Sequence, residues 1–224
     1  MTYPSRKKLT EYPIVTPTLA DSAVNIQGNT VKRSTLQSIL NLFIANSPVP
    51  TLSYKIFTGL ITQSNGMGTS FIDTGLLTIG VSYKIDNNSL GMDFTNVGAP
   101  NNNLNTYFIA TGTTPNSWGA GEGTSNILRY NTNAPVVIIL ENTIGNVWFT
   151  YDGIGVYSLN TINSLFVYTK TAWFSQSLPV NTISARMLLS RNNTNQIEIA
   201  TYSNTTLTDN ILYNPAPIEI RIYN

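Results

Sequence analysis

The sequence predicts an all-β protein, in which an antiparallel β-sandwich of jelly-roll type follows a short N-terminal region of different character. Charged residues make up only 10% of the 224 residues, against roughly 25% in an average soluble domain. Polarity comes instead from 28 asparagines and 30 threonines, which favour turns and strands over helices. A chain of this length can bury one sizeable core. A closed barrel is the alternative architecture.

Residues 1–22 are predicted to form an extended arm. Three prolines in this stretch, Pro4, Pro13 and Pro17, disfavour both helix and strand ladder. The arm is too apolar for a solvated linker, so we expect it to dock on another surface, although a floppy terminus is the alternative. Residues 1–53 carry five basic and two acidic residues, which favours an acidic partner. The candidate docking residues are Tyr3, Pro4, Arg6, Lys7, Lys8 and Tyr12.

Residues 23–47 are predicted to form a hairpin followed by a short helix. Two β-prone runs flank Gly28 and Asn29, a pair suited to a tight turn, and Ser34 is a candidate helix cap. Neither a lone hairpin nor a helix of about a dozen residues is stable by itself. The module therefore packs either on its own C-terminal domain or on other copies of the chain, and we favour a trimer over a dimer. The candidate oligomerisation residues are Val24, Ile26, Val31, Leu36, Ile39, Leu40 and Phe43.

Residues 51–224 are predicted to form the exposed β-domain. Short runs rich in Ile, Val, Tyr, Phe or Thr are separated by Gly, Asn, Asp and Pro, which is typical of strands and turns. Ten such runs without an intervening helix imply two packed antiparallel sheets. The predicted strands are 53–61, 71–85, 106–111, 135–141, 147–151, 155–159, 164–169, 183–188, 196–202 and 217–223.

The composition excludes several kinds of chemistry. The chain contains no cysteine and no histidine, so thiolate sites and serine-histidine, cysteine-histidine and zinc-histidine sites are ruled out. A carboxylate pair, a serine-lysine pair or an all-oxygen calcium site stays open. Five of the nine acidic residues after residue 53 lie beside Asn or Gly, where a carboxylate caps backbone amides. We therefore expect no catalytic residue, no metal and no cofactor.

Trp118 is the candidate contact for a glycan, because aromatic rings stack on the C–H faces of sugars much as they do on apolar partners. The alternative is that all three tryptophans are core or interface residues. A net charge of +1 gives no long-range attraction to nucleic acid. The basic start of the chain is not followed by an apolar run, and no window approaches the ~18 apolar residues of a membrane span. We expect neither a secretory signal nor a membrane partner.

Several segments resemble motifs of structural proteins of tailed bacteriophages. The most specific are LTIGVSYKI (77–85), DFTNVGA (93–99) and FIATGTTPNSW (108–118). A second set consists of NAPVV (133–137), LENTIG (140–145), GVY (155–157) and the ending IEIRIY (218–223). The combination of basic arm, small module and single β-domain is similar to head fibre and head decoration proteins of crAss-like phages.

This resemblance implies a non-enzymatic virion protein, assembled in the host bacterial cytoplasm. Its implied partners are copies of itself and the major capsid protein or another virion protein. The alternatives are a tail-fibre-type adhesin with a host surface glycan as its ligand and, further off, a polysaccharide depolymerase.

Overall fold

A computed structural model describes residues 22–27, 30–35, 54–63, 66, 68–120, 126–175, 185–212 and 214–224, the first two ranges by their backbone alone. The chain divides into two compact units, Met1–Thr51 and Leu52–Asn224. All strand pairs in the described ranges are antiparallel, and these ranges contain no α-helix. The prediction of an all-β, antiparallel fold is therefore confirmed.

The first unit contains two described strands, β1 (Ser22–Gln27) and β2 (Thr30–Thr35). Their antiparallel register places Ile26 opposite Val31 and Val24 opposite Arg33. Strand β2 continues through Ser34, the predicted helix cap, to Thr35. The remaining predicted residues of this unit lie outside the described ranges: Tyr3, Pro4, Arg6, Lys7, Lys8, Tyr12, Leu36, Ile39, Leu40 and Phe43. The docking arm and the hairpin-helix module stay predictions.

The second unit contains the other strands. In chain order they are β3 (Tyr54–Thr62), β4 (Thr69–Ile72), β5 (Ser82–Ile85), β6 (Met92–Asp93), β7 (Tyr107–Ile109), β8 (Ser117–Trp118), β9 (Leu128–Asn131), β10 (Val136–Asn142), β11 (Val147–Gly153), β12 (Val156–Thr161), β13 (Thr171–Ser175), β14 (Ala185–Asn193), β15 (Gln196–Ser203), β16 (Thr206–Leu207) and β17 (Ala216–Tyr223).

Two sheets of this unit share one hydrophobic core, here called the first core. One sheet has the strand order β10-β3-β17-β13, and the other has the order β11-β12-β15-β14 with β16 on β15. Strand β17 shows why they meet, because Ile218 and Ile220 are buried while Glu219 and Arg221 alternate with them on the other face. From the second sheet, Tyr157 and Ile199 enter the same core.

A third sheet, with the order β4-β9-β5-β7, and the short pair β6-β8 enclose a second core. Phe94 and Phe108 are fully buried there and stack with ring centroids 6.3 Å apart. A 3₁₀ turn, Thr95–Val97, ends at Gly98, whose φ of 110° is left-handed. Segments 93–99 and 108–118 thus supply much of this second core, while Ile109 belongs to the first.

The prediction of one strand over 71–85 is wrong, because β4 ends at Ile72 and β5 begins only at Ser82. Gly75 and Gly80 between them have φ of 91° and 84°, conformations that interrupt a strand. The segment is fixed by irregular contacts instead, among them a 2.7 Å hydrogen bond from Leu77 N–H to the Thr113 carbonyl. Its apolar residues suggested a continuous strand, but Leu76 is exposed and only Leu77 is buried.

The predicted strand 164–169 is also wrong. Ser164 has φ 48°, and Lys170 N–H donates to the Val167 carbonyl in a turn. Phe166 anchors the segment in the first core, which explains the apolar signal. The other predicted runs each overlap a strand. Sequence reasoning missed β9 and β13 and the two-residue strands β6, β8 and β16.

Candidate functional site

The candidate site lies where the third sheet meets β11, the edge strand of the five-stranded sheet. Ser82 Oγ on β5 accepts a 2.8 Å hydrogen bond from Phe149 N–H on β11. The Tyr107 ring on β7 stacks on Trp148, with centroids 4.8 Å apart and planes at 15°. Asn146 Nδ2 also donates to the Tyr107 carbonyl at 2.8 Å. These contacts fix two sheets against each other and leave a cleft between them.

This seam cleft has a volume of about 180 Å³. It is lined by Thr69, Ser82, Lys84, Tyr107, Arg129, Tyr130, Asn131, Phe149, Thr150 and Tyr151. The lining therefore combines two cationic residues with three tyrosines and several residues that carry hydroxyl or amide groups. Of the tyrosines, Tyr107 lies on the same sheet face as Lys84, while Tyr130 packs on the second core and Tyr151 on the first. Ligand sites for drug-sized molecules are usually larger, at roughly 300–1,000 Å³, so the seam cleft suits a smaller ligand.

The alternation of the third sheet explains why its cleft side is polar. Tyr83 and Ile85 on β5 and Leu128 on β9 point into the second core. Their neighbours Lys84 and Arg129 occupy the opposite face, because successive strand residues alternate sides. The register makes Lys84 the direct partner of both Arg129 on β9 and Tyr107 on β7.

Both cations of the cleft share one carboxylate. Lys84 Nζ lies 2.8 Å from Asp86 Oδ1, and Arg129 Nε lies 3.5 Å from the same oxygen. The hydrogen bond from Lys84, with the charge of Arg129 adding to it, holds the pKa of Asp86 below its usual range. Asp86 is thus ionised at neutral pH, and the group of three carries one net positive charge.

A second polar cluster surrounds Asp93. Its Oδ1 accepts hydrogen bonds from Thr95 Oγ1 at 2.7 Å and Thr95 N–H at 3.0 Å, and its Oδ2 accepts one from Asn116 Nδ2 at 2.9 Å. The hydroxyl and backbone hydrogen bonds from Thr95, followed by those from Asn116 and Asn102, lower the pKa of Asp93 well below its usual range. The carboxylate therefore joins the 3₁₀ turn to β8, in a structural role.

A third cluster centres on Asp209. Its Oδ1 accepts from Gly155 N–H at 2.6 Å and from Tyr157 Oη at 3.0 Å, while its Oδ2 accepts from Tyr151 Oη at 2.8 Å. Tyr157 Oη also lies 2.6 Å from Gln63 Oε1, so its single proton is shared between two acceptors. Burial raises the pKa of Asp209, but the hydrogen bonds from Gly155 and the two tyrosines outweigh it and leave the pKa lowered.

The Asp209 cluster ties the loop before β17 to β12. Burial raises the pKa of Tyr157, as does the nearby Asp209 carboxylate, so the phenol stays neutral and donates. Among the described residues, no group of three or more acidic side chains is placed to hold a metal ion. The hydrogen bonds of Asp93 and Asp209 fix turns and loops.

Trp118, the predicted glycan contact, lies away from the seam cleft. Its ring packs edge-on against Phe94 at 5.3 Å, and its Nε1–H donates to the Gly75 carbonyl at 3.1 Å. It is half-buried against the second core. Its contact with a glycan stays a prediction, while its packing role is evident.

Sequence reasoning missed Lys84 and Arg129 as site residues. A cation in the apolar run VSYKI signals that one face of the strand is not core. The pairing of this strand with a segment more than forty residues later is not visible in the sequence.

No family model, curated protein or solved structure matches this chain. No helix in the described ranges has the length and the apolar character that a membrane span requires.

Proposed function

We propose that this chain is a structural protein of a phage virion, of the head fibre or head decoration type. Residues 1–22 dock on the major capsid protein or another virion protein, residues 23–47 oligomerise the chain, and residues 51–224 are displayed as a β-sandwich of jelly-roll type. The observation that carries the proposal is the division of the chain into the units Met1–Thr51 and Leu52–Asn224. The role is architectural and requires no catalysis.

The contrast between the two units supports an attachment role for the first. Its described part is a single two-stranded hairpin, and an isolated hairpin is at best marginally stable in water. The second unit contains both hydrophobic cores and needs no partner to bury them. A dependent N-terminal module beside a self-sufficient domain is the organisation expected of an anchored and displayed protein.

The shared first core supports the sandwich architecture. Residues from the β10-β3-β17-β13 sheet and from the β11-β12-β15-β14 sheet contribute to it together, as in two sheets packed face to face. The polar clusters around Asp93 and Asp209 fix the loops of this domain without long charged side chains. A sparsely charged surface interacts little with its surroundings through salt-dependent attraction, which suits a protein displayed on a particle.

The test separates docking from oligomerisation. Particles should be assembled with the full chain and with a variant lacking residues 1–22, and protein incorporation should be measured by mass spectrometry of purified particles. We expect the truncation to abolish incorporation while native mass spectrometry of the free protein still finds a trimer. Incorporation at the full level would overturn the docking role, and a monomeric full chain would overturn the oligomerisation role.

A second candidate function is that of an adhesin binding host surface glycans, which the seam cleft favours. The cleft lining places the Tyr107 ring beside hydroxyl and amide groups, the combination by which proteins hold sugars. A glycan array probed with the full chain tests it. Binding that survives Trp118→Ala but is lost on changing a cleft residue would assign the adhesive role to the cleft, and absence of binding across the array would overturn the adhesin.

A further inference from the structure

Building on the adhesive role above, we propose that the seam cleft binds one carboxylated sugar residue of a bacterial surface polysaccharide, with Arg129 holding the carboxylate. The ligand class is an acidic monosaccharide unit, such as a hexuronic acid. The inference concerns ligand recognition alone and is independent of how the N-terminal unit is attached to a particle.

Two cations lie side by side on the cleft face of the third sheet. Lys84 and Arg129 are direct cross-strand partners, and like charges directly opposite one another destabilise a sheet. Asp86 offsets only one of the two charges. A net positive charge at the centre of a sheet face does not contribute to folding. A bound anionic ligand would neutralise it.

Arg129, rather than Lys84, is the cation that is available to a ligand. Lys84 is committed, since its Nζ makes a 2.8 Å ion pair with Asp86 and its side chain is only 14% exposed. Arg129 is 38% exposed and approaches Asp86 only through Nε at 3.5 Å. Within the described ranges its guanidinium makes no other hydrogen bond. Its terminal nitrogens can therefore form the paired hydrogen bonds that a carboxylate accepts.

The cleft suits an acidic sugar better than a free inorganic anion. The Tyr107 ring lines it on the same sheet face as Lys84, and Phe71, the partner of Arg129 on β4, is 46% exposed. Phosphate needs no aromatic surface, whereas a sugar ring stacks its C–H face on one. The volume of about 180 Å³ suits one sugar ring rather than a nucleotide.

Several groups of the cleft are fixed before a ligand binds. Tyr107 is stacked on Trp148, and Ser82 Oγ accepts the Phe149 N–H. Within the described residues the Ser82 hydroxyl donates no hydrogen bond, so its proton can be donated to a ligand. Thr150, by contrast, donates to Asp152 Oδ1 at 2.9 Å, so this nearby carboxylate is occupied. A site whose groups are fixed in advance loses less entropy on binding.

The experiment measures binding of methyl β-D-glucuronide to the full chain by saturation-transfer NMR and calorimetry, beside methyl β-D-glucoside and inorganic phosphate. We expect the glucuronide to bind more tightly than either. The Arg129→Gln variant should weaken the glucuronide at least about tenfold, the loss of a charge-assisted hydrogen-bonded pair, and leave the weak glucoside binding unchanged. The Arg129→Lys variant keeps the charge but loses the planar pair of N–H donors. Its affinity for the glucuronide should therefore lie between those of wild type and Arg129→Gln.

The matched control is Arg186→Gln. Arg186 lies on β14, the far edge of the five-stranded sheet from β11, over the Tyr202 ring at 4.9 Å. The substitution makes the same change in net charge away from the cleft, so it should leave the glucuronide affinity as it is. If Arg129→Gln and Arg186→Gln lose glucuronide affinity equally, the effect comes from overall charge alone and the proposal is wrong.

Saturation transfer from the wild-type protein to the ligand measures binding without any substitution. The result therefore does not depend on whether a variant folds correctly. Transfer to the sugar ring C–H protons is expected from contact with the rings of Tyr107 and Phe71. Phosphate binding as tightly as the glucuronide, or no glucuronide binding at millimolar concentration, would overturn the acidic-sugar assignment. Particle incorporation is measured separately. If the glucuronide does not bind, the virion proposal is unaffected, and if the truncated chain is incorporated normally, the glucuronide result is unaffected.

Discussion

Replacing Asp209 by Ala should destabilise the β-domain by about 2–4 kcal/mol. The change removes the acceptor of Gly155 N–H, and leaving a buried donor without a partner costs roughly 1–3 kcal/mol. It also removes the acceptor of Tyr151, for about 0.5–1.5 kcal/mol. Tyr157 contributes less, because Gln63 stays available to it.

The matched variant is Asp209→Asn, which should destabilise by about 1 kcal/mol or less. Its amide oxygen still accepts from Gly155, and its amide nitrogen can donate to the oxygen of Tyr151. The two variants therefore separate loss of the hydrogen bonds from loss of the charge. Asparagine is also nearly the same size as aspartate, so packing of the loop is retained.

Urea unfolding at neutral pH, followed by tryptophan fluorescence, measures the free energy of unfolding of each variant. All samples must have one protein concentration, because oligomerisation makes stability concentration-dependent. If Asp209→Ala and Asp209→Asn unfold within about 0.5 kcal/mol of each other, in the range of ordinary surface substitutions, the Asp209 cluster does not fasten this loop and the reasoning from the structure is wrong.

Three further predictions concern pH and backbone. The lowered pKa of Asp209 means that its stabilisation is present above the unfolded-state pKa of about 3.9 and is lost as pH falls through the folded value. The difference in unfolding free energy between wild type and Asp209→Asn should become smaller below about pH 4. A difference that becomes larger there would contradict this prediction. The raised pKa values of Tyr83, Tyr151 and Tyr157 mean that their stabilisation is present below about pH 10 and lost above it. An ultraviolet titration should therefore find fewer than twelve phenolates at about pH 11, until denaturant is added; full ionisation of the folded protein would refute it. Gly80→Ala should destabilise by about 1–3 kcal/mol, because φ is 84° and the new Cβ would lie 2.2 Å from the Val137 carbonyl oxygen; the control Gly75→Ala, at φ 91° with open space, should cost less in the same urea assay, and equal effects would exclude a clash.

Strand β17 and the run 71–85 show what the local sequence pattern can and cannot predict. Strand β17 was predictable because its residues alternate between apolar and polar, and that alternation is a local property of an extended chain. The run 71–85 misled because Leu76, Leu77 and Ile79 are apolar, whereas the left-handed backbone at Gly75 and Gly80 leaves only Leu77 buried among the three. Hydrophobicity indicates that a residue can be buried, but the backbone decides whether it is.

The site shows the other limit. Trp118 is a conspicuous aromatic residue in the sequence, yet its indole is used in packing against Phe94. Lys84 and Arg129 are inconspicuous, and only the pairing of β5 with β9 makes them neighbours. Long-range strand pairing is set by the closure of loops and by the fit of whole sheets, which no local window contains.

The sequence by itself determined the all-β, antiparallel character of this protein, because threonine, asparagine and alternating apolar residues restrict each short segment to strands and turns. It also determined that thiol and histidine chemistry is absent. Only the tertiary structure decided that a third sheet lies against the edge strand β11 and that the two cations meet there beside the Tyr107 ring. The physical reason is that side-chain periodicity is local, whereas the choice of which sheet faces meet depends on burial summed over the whole domain.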